Sequence, residues 1–311
     1  MTVSRNRGRS TCMHLPCPQI LFETSYGARQ ATYSVKSSPW NTMSKRVEAY
    51  DAAYGNFSNK VLQQVRKEAF GDDIGQNSWI TTDEFLRLLK HLGLKSTSNV
   101  LEIACGSGGP ALFMARTFGC HVTGIDINEK AIATADKMAR DQKLDSLVRF
   151  MKSDAGTALP FESKTFDAIT CIDAINHIPD RLKFLKESYR ILRPGGRFLF
   201  TDPVIVTGLI SNEETAVRSS VGFFLFSAPD EDERLIKASG FGISTREDVT
   251  ENMAEISNRW RDSRENHARD LIQIEGEETF KGTQRFFSMV HTLAREKRLS
   301  RVAFVCKKID S

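Results

Sequence analysis

The chain has 311 residues, 40% hydrophobic and 26% charged, an ordinary globular composition long enough to bury a core without disulfide or metal staples. Twenty glycines and nine prolines exclude a fibrous or low-complexity protein, and no run approaches the ~18 apolar residues that span a membrane. The net charge of +4 sits at the start: residues 1–46 hold seven basic residues against the single acid Glu23, which leaves the rest at −2 and argues against nucleic acid as a partner.

In chain order, residues 1–45 are rich in Ser, Thr and Arg, nearly free of acids and without sustained periodicity. They read as a disordered or transit-like extension, and one domain is expected over 46–311. A cytoplasmic protein is expected, with a mitochondrial or plastid address as the alternative if the extension directs import. The six cysteines include no CxxC pair and follow no secretory signal, so reduced thiols are expected and a zinc site is not.

Apolar spacing at Val47, Tyr50, Tyr54, Val61, Leu62 and Val65 predicts a helix from Lys45 to Phe70, ended by Gly71. Thr82 is expected to cap a second helix, with Phe85, Leu86, Leu88, Leu89 and Leu92 on its apolar side and Gly93 as its stop. Short apolar strands then follow at 98–104, 121–126, 147–151, 166–172 and 196–202, separated by helical patterns at 110–118, 128–141 and 180–191. Strand–helix alternation with nearly continuous apolar strands predicts a doubly wound α/β fold, whose ligand sits at the carboxyl ends of a parallel sheet. Beyond it come a Phe-rich insert at 204–228, a helix at 230–239, a strand at 241–248, two polar helices within 250–296 and a closing strand at 301–306. The segments about 46–95, 204–228 and 250–298 are expected to form cap or lid structure.

The chemistry concentrates at the strand ends. Val100 to Pro110 reads as a strand entering a Gly-rich turn, with Pro110 placed at the first turn of a helix. Glycines there let backbone approach a ligand closely. Asp126 ends the second strand 20 residues after Gly106, where a carboxylate can accept both hydroxyls of a ribose. Glycine turn and acid together fit any nucleoside cofactor. A dinucleotide fingerprint would need glycine at 111, which is Ala111, and Glu102 lies close enough to oppose a pyrophosphate while suiting a cationic amine or sulfonium.

The segments VLEIACGSGG, GIDIN, SDAGTALPF, FDAITCIDAINHIPD and LRPGGRFLFTD, in that order over residues 80–205, resemble the class I S-adenosylmethionine-dependent methyltransferases. The match leans to the small-molecule branch, similar to the glycine/sarcosine and phosphoethanolamine N-methyltransferases. The segment Phe70 to Trp79 is similar to the loop that closes over the cofactor in that branch. One departure is Ala104, where the family often has glycine.

The resemblance implies a Rossmann-like, mostly parallel seven-stranded sheet with an antiparallel last strand and a helical lid. It implies S-adenosylmethionine as cofactor and S-adenosylhomocysteine as product. It places the backbone of Ala104 and Gly106 against the methionine part, with Gly108 in the same loop, and Glu102 orienting the amine or the loop. It puts Asp126 on the ribose, Ile127 on the adenine face, and Asp154 on the adenine amino group with Ala155 beside it. Ile172 would offer its carbonyl to the methionine amine. The alternative for Asp154 is a turn-capping acid, since Ser-Asp-Ala-Gly is also good turn chemistry.

His177, after the fourth strand, is the candidate general base, or else a packing histidine; many methyl transfers need no dedicated base. Asn77, Trp79, Phe224, Phe226, Arg285 and Phe286 are candidate acceptor contacts, aromatics for a cationic amine and arginine for a carboxylate. No ligand cluster has metal spacing. The expected activity is methyl transfer to a nitrogen or oxygen of a small molecule; an NAD(P)-dependent oxidoreductase and a non-catalytic S-adenosylmethionine-binding protein are the alternatives. No membrane partner is expected, and a homodimer is left open.

Overall fold

The computed structural model describes residues 54–309, which lie within one compact unit. The extension 1–45 and the start of the helix expected from Lys45 lie outside the described residues. Within them that helix is broken: turn residues 56–58 precede Asn59, whose side chain caps α1 (Lys60–Phe70) by accepting from Val61 N at 2.9 Å. α2 (Thr82–Leu89) is capped by Thr81, one residue earlier than expected; its hydroxyl accepts from Glu84 N while Thr82 is already helical.

Seven strands among the described residues make one sheet: β1 (Asn99–Ile103), β2 (His121–Asp126), β3 (Val148–Lys152), β4 (Phe166–Cys171), β5 (Leu192–Val206), β6 (Phe241–Asp248) and β7 (Leu299–Lys308). Their order is β3-β2-β1-β4-β5-β7-β6. The first five run parallel, and β7 lies antiparallel between β5 and β6. The chain leaves β1 towards β2 and β3 on one side and returns to β4 on the other, which opens a crevice at the carboxyl ends of β1 and β4.

Alternation along each strand fills two cores. Leu101, Ile103, Ile169, Phe198 and Phe200 pack to one side with Phe184 and Leu185 of α5 (Arg181–Ile191). Val100, Ala168 and Leu199 pack to the other with Phe85 and Leu88 of α2 and Ala111 and Leu112 of α3 (Gly109–Phe118). Each fully buried Leu or Phe contributes ~1.5–3 kcal/mol, so the doubly covered sheet is the rigid base of the molecule. α4 (Glu129–Asp141) follows β2, its cap Asn128 accepting from Ala131 N at 3.0 Å.

The insert after β5 is not all irregular: it contains α6 (Asn212–Arg218), started by a capping box of Ser211 and Glu214. α7 (Glu231–Ala238) then leads to β6. The two polar helices expected over 250–296 are three: α8 (Thr250–Asn266), α9 (Ala268–Glu275) and α10 (Glu277–Arg295). They break at His267 and at Gly276, whose φ of 85° suits glycine. Phe70, Trp79, Met253, Phe286 and Phe287, with Trp260 packed against them, bind α1, α8 and α10 into a helical cap.

Candidate active site

β1 ends in a turn with three left-handed residues: Ala104 (φ 56°), Gly106 (φ 52°) and Gly108 (φ 80°). This explains why glycine would be the easier choice at 104; a left-handed alanine costs ~1–2 kcal/mol. At Gly106 a Cβ would stand 2.8 Å from the Tyr54 hydroxyl, and at Gly108 2.6 Å from the Phe150 ring. Tyr54 therefore roofs the turn, and Gly108 seats it on β3.

Asp126 holds the turn from the next strand. Its Oδ2 accepts from Gly106 N at 2.9 Å and its Oδ1 from Asn128 N at 2.8 Å. Burial raises its pKa, and the backbone amides of Asn128, Gly106 and Ile127 oppose the rise. With three amides on four lone pairs, the carboxylate keeps one acceptor position for a ligand hydroxyl. Glu102, on the preceding strand, is 2% exposed, and its Oε2 has no hydrogen-bond partner among the described residues. Burial pushes its pKa up to about 8, against a backbone hydrogen bond from Ala111 and with repulsion from Asp126 adding to the rise.

A narrow cleft gathers Glu102, Ala104, Gly106, Ile172 and Asn77, under Tyr54 and Gly75. Its lid is the segment 72–79, pinned by Ser107 Oγ donating to the Gly75 carbonyl at 2.9 Å. A larger groove of about 800 Å³ lies behind Tyr54 among α1, α3 and α4; it shares only Tyr54 and Gly75 with this cleft and holds none of the expected site residues. Ile127 is 57% exposed beside Asp126, an unusual degree for an isoleucine and consistent with a face for a flat apolar ligand. Asp154 is exposed and Ala155 half-buried. The Asp154 side chain accepts from Gly156 N at 2.8 Å, so it does cap its own turn while one oxygen remains available.

His177 closes the short 3-10 turn Ile175–His177 after β4. Its Nδ1 is hydrogen-bonded to the Phe223 carbonyl, and its Nε2 lies 3.4 Å from Asn176 Nδ2. A carbonyl can only accept, so Nδ1 carries the proton and Nε2 the lone pair in the neutral ring. Burial is the main cause that lowers the His177 pKa; the bond to Phe223 and the charge of Asp202 oppose it, and the cations Arg218 and Arg181 add to it. Phe224 lies beside this ring, centroids 4.8 Å apart, and under Arg218 at 4.4 Å.

Neither His177 nor Phe224 lines the cleft itself, and other expected contacts are turned to different surroundings. Trp79 is 7% exposed and packs with Phe286, Phe287 and Trp260, so its indole is cap core. Phe286 is buried in the same cluster, and Phe226, like Phe224, packs against Val204, Leu293 and Leu299. Arg285 is 62% exposed and pairs with Glu213 at 2.6 Å on the outer surface. Residue type suggested these positions; Arg285 and Phe286 are placed by the phase of α10, Trp79 and Phe226 by the course of irregular segments. The sequence reading gave no role to Tyr54, Arg218, Asp173 or Arg301. Tyr54 reads as an ordinary apolar helix position, and nothing local marks Arg301 as the partner of an acid 128 residues earlier.

Residues 101–200 match the family model described as a methyltransferase domain. The 27-O-demethylrifamycin SV methyltransferase of Amycolatopsis mediterranei is 32% identical over 168 residues, 53% of this chain and 61% of the relative. The chain thus spans somewhat under two thirds of that relative's length. The sarcosine/dimethylglycine N-methyltransferase of Halorhodospira halochloris is 28% identical over 67% of this chain and 72% of its own. Among solved structures, phosphoethanolamine N-methyltransferase 2 of Haemonchus contortus, in complex with phosphomonomethylethanolamine and S-adenosylhomocysteine, superposes with a TM-score of 0.71 at 24% identity, covering 84% of this chain and 60% of that one, a likeness of fold.

Proposed function

We propose that the chain, whose residues 101–200 match a methyltransferase domain, is S-adenosylmethionine-dependent and transfers a methyl group to a nitrogen or oxygen of a small-molecule acceptor. The observation that carries this reading is the cleft at the β1–β4 crevice, in which the left-handed turn, Glu102 and Ile172 converge. The residues fit the cofactor: Glu102 Oε2 lacks a partner among the described residues, the backbone of Ala104 and Gly106 lines the cleft beside it, and Ile127 stands exposed beside Asp126. S-adenosylmethionine, when bound, supplies a methyl group on a sulfonium already reactive enough for direct displacement, leaving S-adenosylhomocysteine.

This chain's residues bind, orient and exclude water. Glu102 and the Ile172 carbonyl take the ammonium, with the backbone of Ala104, Gly106 and Gly108 against the methionine part. Asp126 takes a ribose hydroxyl, Ile127 packs on the adenine face, and Asp154 with Ala155 reads its amino edge. The lid 72–79 and Tyr54 shut out solvent, and Asn77 and Phe224 stand on the acceptor side. His177 Nε2 takes the acceptor's proton, with Nδ1 fixed by the Phe223 carbonyl. Alignment and desolvation supply most of the acceleration, the base the remainder.

The described cap segments serve as the lid of this site. No helix among the described residues is long and apolar enough to cross a membrane. A cytoplasmic location accords with four buried, unpaired cysteines, Cys105, Cys120, Cys171 and Cys306.

The test is calorimetric titration of the full chain with S-adenosylhomocysteine, with NADH as control, followed by labelled methyl transfer from S-adenosylmethionine to pools of small amines, acids and phenols. Binding of the first ligand alone and label in a small product are expected. Binding of NADH alone would make the chain an oxidoreductase, and cofactor binding without transfer to any pool would make it a non-catalytic binder.

A further inference from the structure

Arg301 stands on the central antiparallel strand β7 and is 0% exposed. Its Nε donates to Asp173 Oδ1 at 2.7 Å and its Nη1 to Glu84 Oε1 at 2.5 Å. Asp173 is the second residue after β4, between Ile172 and the turn that ends in His177, and has a left-handed φ of 53°. Every polar atom of this residue's side chain is engaged. Oδ1 also accepts from Thr201 Oγ1 at 2.7 Å, and Oδ2 accepts from the backbone N–H of Trp79 at 2.8 Å. Its own backbone N–H donates to Thr201 Oγ1 at 2.7 Å. Glu84 in turn accepts from Asn252 on α8, which also donates to the Trp79 carbonyl at 3.3 Å. One buried guanidinium and two carboxylates therefore tie β4, β5, β7, the lid segment and the cap at a single point.

We infer that Asp173, anchored by Arg301, is a positioning residue that fixes the backbone of Ile172 towards the cofactor's amino-acid end and fastens the lid above it. The inference rests on the methyltransferase reading. Three facts support it. A non-glycine residue holds a left-handed conformation only where its surroundings over-determine it. Those surroundings here are charge-assisted hydrogen bonds out of water, the strong kind. And the residue they fix is the direct neighbour of one that lines the cleft with Glu102.

The test compares two probes on the full chain: S-adenosylhomocysteine, and 5′-methylthioadenosine, which shares the adenosine but lacks the amino-acid group. Asp173→Asn keeps the side-chain shape and a residue that tolerates left-handed backbone, while removing the charge and one acceptor. A tenfold or greater loss of affinity for S-adenosylhomocysteine is expected, with methylthioadenosine changed by less than twofold. Asp126→Ala, at the ribose, should weaken both. Because Asp173→Asn leaves Arg301 short of a partner, Thr201→Val is the second variant; it removes one hydroxyl from the same carboxylate, and a smaller loss with the same selectivity is expected. Equal weakening of both probes in a folded variant, or no change in either, would overturn the inference. A wild-type chain that binds neither probe removes the methyltransferase reading and this inference with it.

Discussion

Glu102 shows how a single residue reports on the site before any substrate is known. An unfolded glutamate releases its proton near ~4.3, whereas in the folded protein burial holds it to about 8. Between those values the folded state binds the extra proton, so this group's contribution to stability is complete below about 4 and is lost as pH rises through about 8. Glu102→Gln stays neutral throughout. Its melting temperature relative to wild type is expected to rise steadily from pH 5 to pH 8.5, and a constant difference would show that Glu102 ionises normally. His177 moves in the opposite sense: its lowered pKa keeps the imidazole neutral below the usual value of ~6.5. The acid limb of the rate profile should therefore fall below that value. His177→Ala should lose turnover by the ~10²–10⁴-fold typical of a general base while binding S-adenosylhomocysteine as before. Unchanged turnover would leave the ring a packing role against Phe224.

At the scale of elements, lid and base approach each other backbone to backbone at Gly109. A Cβ on Gly109 would stand 2.3 Å from the Ile74 carbonyl and 2.5 Å from the Gly75 backbone. Alanine is the better helix former by ~1 kcal/mol, yet Gly109→Ala should push the segment 72–79 off α3. Faster amide exchange in that segment, with helicity retained, is the expected signature; unchanged exchange would mean that the lid yields without opening. The sheet and its turn were legible because apolar strands with glycine ends have few other uses: the pattern at 98–104 became β1, and 121–126 became β2 at the same bounds. The cap was less legible. Its helices are polar over most of their surface, so their breaks at 56–59 and His267 depend on what they pack against. The same ambiguity hid that Arg285 lies on the outer surface, and Trp79, in the segment before α2, packs into the cap core. The positions of Asp126, Glu102 and His177 at or after strand ends were legible, though their roles are tested only by the experiments above; the Asp173–Arg301 pair was not legible, since only the insertion of β7 beside β5 brings the two together.

For the whole molecule, the cofactor should act as a fastener. A ligand that binds the folded state at 100 times its Kd adds about 2.7 kcal/mol, which in a protein of this size is a melting-temperature rise of about 4 °C. S-adenosylhomocysteine should produce such a rise in the full chain. Asp126→Ala, which removes a charged hydrogen-bond partner worth ~1–3 kcal/mol, should blunt it. An equal rise in the variant would move the ribose contact elsewhere.

The placing of β7 has a further consequence, for the order in which the protein is made. Residues 299–308 are translated after every other strand, yet they enter the sheet at an interior position, between β5 and β6. Until they emerge from the ribosome, β5 has an open edge, and Asp173 and Glu84 have no Arg301 to share. The nascent chain can assemble its glycine turn early. The ion cluster of Asp173 and Glu84 forms only when this strand slides in beside β5, so of the described strands the one made last is also the one that ties lid, cap and sheet together.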